Sequence, residues 1–434
     1  MRTRLPNGLT VLVEENHAAP AAALQVWVRA GSADEREGEH GLAHLHEHML
    51  FKGTARRGPG EVARQIESAG GEINAWTSFD QTVYHVVVAS RFASTGLDVL
   101  ADAVTSAVFD PGELSREIEV VCEEIRRSED SPARKVSKDL FAAAFARHPY
   151  GRPVIGTEES VRSFTRDGVL RFYRRWYHPE NCTFVAVGDV REEQVLELAE
   201  AAFRFPEANG FAPAPARPEE PPRTTPAARV RKEQVKEGYL SLAWPAPALR
   251  DEDTAALDAL AVVLGHGEAS RLYRALKRDR LLCTDVSAGA YTPLDPGLTI
   301  VGLTLQPDRL REAVREALRC VHRLRAEEVT PSELTLACRL LESDAVYQRE
   351  TVQGMARKLG FWQSSAGGAE QEAEYYARVA ALSPAALREV ARQQLGAQPE
   401  RVAAGVAPHR AAHRLHRARE LLGAPLLRAL GGEP

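Results

Sequence analysis

The run His40-Gly-Leu-Ala-His44-Leu-His46-Glu47-His48 is the stretch from which the rest of the chain can be read. In a helix, His44 and His48 stand one turn apart on one face. That is the spacing at which two imidazoles can bind one tetrahedral metal ion. Glu47 projects close to the same face, within reach of a proton on a metal-activated water. His40, one turn before His44, reads as a solvated or capping histidine, and His46, elsewhere on the helix, as a surface one.

A catalytic zinc commonly has three protein ligands and an open fourth position, so a third ligand must come from elsewhere. A helix starting at Asp110-Pro111 and running to about Arg127 can supply it. It carries Glu117 and Glu124 seven residues apart, roughly on one face, among Val120, Val121 and Ile125. Composition leaves Glu117, Glu119, Glu123 and Glu124 all open as the ligand.

Leu5–Glu14 reads as a turn followed by a strand, and alternating and continuous apolar runs predict strands at Ala21–Arg29, Glu72–Thr77, Thr82–Val88 and Cys182–Asp189. Helical spacing marks Glu61–Ala69, Leu97–Val108, Phe141–Ala146, Thr165–Tyr177 and Glu193–Phe203. The stretch 206–228 is dense in Pro and Ala and reads as a semi-extended linker. Beyond it the pattern returns, with strands at Gly238–Trp244 and Leu298–Leu305. Helices there are predicted at Glu252–Leu264, Ser270–Lys277 and Arg309–Arg323. Phe109-Asp-Pro-Gly-Glu-Leu114 and Val329-Thr-Pro-Ser-Glu-Leu334 lie 220 residues apart, each after a strand-helix unit, which suggests duplication. The expected organisation is therefore α+β: a domain over 1–205, the linker 206–228, a second domain over 229–408 and a basic tail over 409–434. The tail holds His409, His413 and His416 among arginines and reads as a solvated helix.

With 434 residues the chain is too long for one typical core. A net charge of -5 gives no reason to expect a nucleic-acid partner. Cys122, Cys182, Cys283, Cys320 and Cys338 are scattered without a C-x-x-C pair, as expected of reduced thiols in the cytoplasm. No secretory signal or run of roughly 18 apolar residues is seen, so no membrane partner is expected.

The stretch Gly41-Leu-Ala-His44-Leu-His-Glu47-His48-Met-Leu-Phe-Lys-Gly-Thr54 resembles the start of the M16 metallopeptidases, the inverzincins of the pitrilysin and processing-peptidase type. Gly70-Gly-Glu-Ile-Asn74-Ala-Trp-Thr77, His148-Pro-Tyr-Gly-Arg-Pro-Val-Ile-Gly-Thr-Glu-Glu-Ser160 and Phe172-Tyr-Arg-Arg-Trp-Tyr-His-Pro-Glu-Asn181 resemble later blocks of the same family. The resemblance implies two homologous domains, each a largely antiparallel sheet flanked by helices. It implies one Zn2+ held by His44, His48 and Glu124, Glu47 as general base, and Glu117 as a further acid steadying the site. Asn74, Ala75, Trp76 and Thr77 would form an edge strand to which an extended peptide substrate adds. Trp76 reads equally well as core. The implied activity is that of a zinc metalloendopeptidase acting on unfolded peptides.

The second half lacks H-x-x-E-H, and its run Gly265 to Leu276 holds one histidine, His266, with no acidic residue in ligand register. Where the family places an Arg and a Tyr in a run like R-E-K-R-G-L-A-Y, this chain reads Lys277-Arg-Asp-Arg-Leu-Leu-Cys-Thr284. Lysine lacks the planar fork of arginine, and Thr284 is too short to stand where a tyrosine hydroxyl would. A homologous subunit supplying the Arg/Tyr pair, in a heterodimer or else a homodimer, is the implied partner.

Overall fold

The computed structural model describes residues 1–206, 211–212, 216–221, 227–231, 233 and 235–396, together with the backbone of 401–405. The tail with His409, His413 and His416 lies outside the described residues, as does part of the linker. In chain order the first elements are β1 (Arg2–Arg4), β2 (Thr10–Glu15), β3 (Ala21–Val28), α1 (Leu42–Met49), α2 (Glu61–Ser68), β4 (Glu72–Thr77) and β5 (Thr82–Ala89). Next come α3 (Ala93–Ser106), α4 (Pro111–Glu129), α5 (Pro132–Ala144), α6 (Glu158–Arg162), α7 (Arg166–Trp176), β6 (Cys182–Gly188) and α8 (Glu192–Ala202). After the Pro/Ala-rich stretch follow β7 (Ala227–Arg231), β8 (Gly238–Ala246), α9 (Thr254–Gly265), a π-helical turn (Tyr273–Arg278), β9 (Asp285–Tyr291) and β10 (Gly297–Leu305). The chain continues with α10 (Leu310–Ala326), α11 (Pro331–Tyr347), α12 (Val352–Phe361), α13 (Gln371–Ala380), α14 (Pro384–Gln394) and β11 (Arg401–Gly405). No described helix is long and apolar enough to cross a membrane.

The fold is α+β, with two compact units. One comprises Met1–Arg127, Arg152–Pro218 and Ala345–Gln371; the other comprises Ser128–Gly151, Glu219–Asp344 and the residues from Glu372 onward. The first holds a six-stranded sheet in the order β1-β2-β6-β3-β5-β4, antiparallel except for the β2–β6 pair. The second holds a five-stranded sheet in the order β7-β11-β8-β10-β9, antiparallel except for β7–β11. Five strands thus repeat one topology, with the parallel pair in the corresponding place. Pro111 and Pro331 begin α4 and α11, so the 220-residue offset marks equivalent helices.

Strand β3 explains why the first sheet needs cover on both faces. Its sequence AAALQVWV is buried almost throughout, as a central strand packed on both sides must be. Ala22, Leu24, Val26 and Val28 face the main core with Leu42, Leu45 and Leu100. Ala23 and Trp27 face a smaller cluster completed by Ala356 of α12. Gln25, on that second face, accepts from Trp27 Nε1 at 2.9 Å and donates to the Gln353 carbonyl at 3.3 Å. So α12, from the C-terminal half of the sequence, covers the N-terminal sheet. Its topological equivalent α5 belongs to the other unit, where Asp139 accepts from Arg231 of β7 at 2.8 Å. The helix expected over Phe141–Ala146 starts earlier, at Pro132, because Ser131 caps it despite the run of charge from Arg134 to Lys138.

Helix α12 approaches the sheet closely only because Gly360 lacks a side chain: a Cβ there would lie 2.0 Å from Trp27 Nε1. Helix propensity alone favours Ala over Gly by about 0.5–1 kcal/mol. Overpacking a buried contact typically costs about 1–3 kcal/mol, so sterics should win. Gly360→Ala is expected to lower the urea midpoint of unfolding; an unchanged or raised midpoint would contradict this packing.

Candidate metal centre

Helix α1 is only 8 residues long and is fixed at both its start and its buried face. Gly41, just before it, has φ 98°, and a Cβ there would meet the Ile155 carbonyl at 2.6 Å, so both conformation and space call for glycine. The Gly41 and Ala43 N–H groups donate to the two oxygens of Glu35 at 3.0 and 2.9 Å, which satisfies the first turn. Leu42, Leu45 and Met49 are buried. This leaves His44, Glu47 and His48 together on the half-buried side.

Helix α4 brings carboxylates to that side and sorts the four candidate acids. Glu119 turns to Arg162 in a two-pronged pair at 2.6 and 3.0 Å, and Glu123 turns to Arg126 at 3.2 Å. Glu117 and Glu124 face α1. The Nε2 atoms of His44 and His48 lie 3.8 and 3.6 Å from Glu124 Oε2. Glu117, buried, accepts from His48 Nδ1 through Oε1 at 2.9 Å and from Lys52 Nζ through Oε2 at 2.7 Å. Among the described residues, His44, His48 and Glu124 are the one set of His, Cys, Asp or Glu side chains close enough to share an ion, with ligand atoms within 4.8 Å of one another.

This donor set fits zinc. Ligands at about 2.0–2.1 Å from a tetrahedral ion stand roughly 3.3 Å apart, close to the 3.6 and 3.8 Å found. Glu47, Glu117 and Glu124 outnumber the single ammonium of Lys52, a balance that a dication would restore. Burial, then His48, drives His44 down to about 3, so it is the neutral base a metal requires. For His48, burial opposes protonation, but the Glu117 hydrogen bond and the carboxylates of Glu47, Glu117 and Glu124 outweigh it and raise its pKa. Burial raises Glu47 despite the hydrogen bond from Thr77. Burial works against ionised Glu117, but His48 and Lys52 hold it below its ordinary value.

Asn74, Ala75, Trp76 and Thr77 lie on β4, an edge of the first sheet that pairs, among the described residues, with β5 alone. Thr77 Oγ1 donates to Glu47 Oε2 at 2.6 Å, a contact unforeseen in a residue expected to meet substrate. Trp76 points to the α12 face, edge-on to Trp27 with ring centroids 5.6 Å apart and beneath the Arg357 guanidinium at 4.9 Å. It is half-buried packing on the face away from α1.

His46 corrects the surface expectation. It is fully buried, with its ring nitrogens 2.8 and 2.9 Å from the Leu42 and Val169 carbonyls and its ring against Phe109, Phe172 and Tyr177. Helix spacing predicted that it leaves the metal face; it could not foresee α7 lying over the opposite one. His40 is neither cap nor freely solvated, since Arg152 donates to its Nε2 at 2.8 Å. Lys52 and Glu35 were missed altogether. The available signals were a cation one turn beyond His48 and an acid shortly before the helix start.

In the second unit α9 stands where α1 stands in the first, and its one ionisable side chain, Asp258, accepts from the Tyr375 hydroxyl at 2.7 Å. Lys277 lies over the Tyr273 ring at 5.1 Å, and Thr284 Oγ1 donates to Glu237 at 2.7 Å. Leu281, where the family run has Gly, keeps a left-handed φ of 50°.

Residues 10–158 match the family described as insulinase, peptidase family M16, and residues 163–341 match the peptidase M16 inactive domain. The chain belongs to peptidase family M16. An uncharacterized zinc protease of Streptomyces coelicolor is 30% identical over 425 residues, 96% of this chain and 91% of that protein. The zinc protease YmxG of Bacillus subtilis is 32% identical over 331 residues, 76% and 79% of the two chains. The crystal structure of a protease from Helicobacter pylori shares the M16 fold at TM-score 0.88 and 24% identity, covering 94% of this chain and 99% of that one. A structure titled peptidase M16 inactive domain, from Pseudomonas fluorescens, matches at TM-score 0.86 and 19% identity, covering 94% and 98%.

Burial pushes the Glu35 carboxyl up to about 8 from 4.5, against the pull of the Ala43 and Gly41 N–H groups. A carboxyl raised on folding takes up a proton, so its contribution to stability is complete below about pH 4.5 and is lost as pH rises through about 8. The stability difference between wild type and Glu35→Gln, from urea unfolding across this range, should therefore move against the wild type as pH rises. A pH-independent difference would show that Glu35 stays ionised.

Proposed function

We propose that this M16 protein is a zinc-dependent endopeptidase for unfolded peptides, working as the zinc-bearing subunit of a pair. What supports this most directly is the convergence of His44, His48 and Glu124 beside Glu47. His44, His48 and Glu124 would hold the ion. Zinc, when bound, supplies a Lewis acid that polarises the scissile carbonyl and brings the pKa of water toward ~7. Glu47 takes the proton of the attacking water and returns it to the leaving amine. Its raised pKa suits both halves of that transfer. Thr77 donates to Glu47 Oε2 and so leaves Oε1 to carry the proton. Glu117 accepts a hydrogen bond from His48 Nδ1–H and so turns Nε2 toward Glu124.

Strand β4 offers an unpaired edge beside Glu47. A peptide added there pairs through its main chain, which selects extended, unfolded segments over particular side chains. The pairing requirement comes from Lys277 and Thr284, which replace the family's Arg and Tyr. Loss of one oxyanion donor typically costs on the order of a hundredfold in rate. A homologous M16 subunit carrying that pair is the inferred partner.

Purified wild type and Glu47→Gln should bind zinc equally in metal analysis. Cleavage of a quenched, unstructured peptide should fall by about 10²–10⁴-fold in Glu47→Gln. Wild-type activity should be low alone and rise with the partner. Zinc bound without cleavage in any pairing would favour a non-catalytic assembly role, and full activity of the lone chain would sink the pairing. Thr77→Val should lower kcat with KM little changed, whereas Thr77→Ser should retain most activity; a loss confined to KM would assign Thr77 to substrate binding instead.

A further inference from the structure

Lys52 stands one turn beyond His48, its backbone N–H held by the Met49 carbonyl at 3.0 Å at the end of α1. The two residues thus present their side chains to the same side. Glu117, reaching in from α4, is 4% exposed, and each of its oxygens has its own partner: Oε1 meets His48 Nδ1 at 2.9 Å and Oε2 meets Lys52 Nζ at 2.7 Å. An ordinary surface ion pair adds little because both groups are solvated. Here the acid is buried and Oε1 is already committed to a candidate ligand, so the ammonium on Oε2 determines where the carboxylate sits. Two donors one turn apart hold the carboxyl plane across them. Removing the ammonium frees Oε2 and lets the group rotate away from His48.

We infer that Lys52 is a positioning residue for the metal, acting through Glu117: it holds that carboxylate where it fixes the ring orientation and tautomer of His48, with Nε2 facing Glu124. This rests on the zinc-site reading above and extends it from the ligands to what aligns them. Acids that hydrogen-bond a metal-ligating histidine typically contribute about 10–100-fold in metal affinity. Lys52, one step further out, should contribute part of that.

The test is zinc affinity of the metal-free full chain, by competition with a chromophoric chelator, for wild type, Lys52→Met, Lys52→Arg, Glu117→Gln and the double variant Lys52→Met/Glu117→Gln. Glu117→Gln should weaken binding about 10–100-fold and Lys52→Met about tenfold. Lys52→Arg should restore most of the loss, because an arginine can also reach the carboxylate. The double variant should bind no more weakly than Glu117→Gln alone, since Lys52 has nothing to act through once the carboxylate is gone. Wild-type affinity in Lys52→Met, or a loss that adds in full to that of Glu117→Gln, would overturn the inference. A wild-type chain that binds no zinc would overturn the peptidase reading itself.

Discussion

Helix α1 is too short to hold its candidate metal ligands by its own stability. Isolated helices shorter than about 12–15 residues are marginal in water, and α1 has 8. Its persistence depends on burial of Leu42, Leu45 and Met49 and on the Glu35 carboxyl group at its first turn. Both anchors leave the opposite side free. His44, Glu47 and His48 can therefore sit half-buried at defined positions, aligned without spending the rigidity of a long helix.

Charge organises what surrounds that helix. Three carboxylates gather near one lysine, an arrangement that would repel itself without a cation to share. Each acid nevertheless has a distinct partner: Thr77 for Glu47, His48 and Lys52 for Glu117, and the two Nε2 atoms for Glu124. Equivalent acids only a few residues away are drawn elsewhere, Glu119 by Arg162 and Glu123 by Arg126. The separation of roles along a single helix thus follows from where the arginines stand.

The repeated sheet topology shows one architecture carrying two different sets of side chains. In the first unit the helix after the central strand is amphipathic and presents histidines; in the second, α9 is almost wholly apolar and presents none. The exchange of α5 and α12 gives each sheet a helix drawn from the other half of the chain, so neither half of the sequence completes its own fold. Close packing at Gly360 and Trp27 shows how tightly one of these helices fits.

Strand β3, helices α2, α3, α4, α7 and α8 and the duplication at Pro111 and Pro331 were legible in the sequence because periodicity and turn chemistry are local properties. So was the pairing of His44 with His48, which follows from helix geometry alone. Sequence spacing also placed Glu117 and Glu124 on one face, yet left Glu119 and Glu123 in contention. Glu123 is taken by Arg126 three residues on along the same helix, but only the tertiary structure removed Glu119, through Arg162 of α6. The burial of His46 under α7, the turn of Trp76 toward α12, the hydrogen bond from Thr77 to Glu47 and the hold of Lys52 on Glu117 were likewise beyond a linear reading. Each joins residues at least 30 positions apart. The sequence by itself determined which side chains could bind a metal and on which helix; the packing of that helix against distant segments decided which of them meet, because burial and charge pairing are settled only when the chain closes on itself.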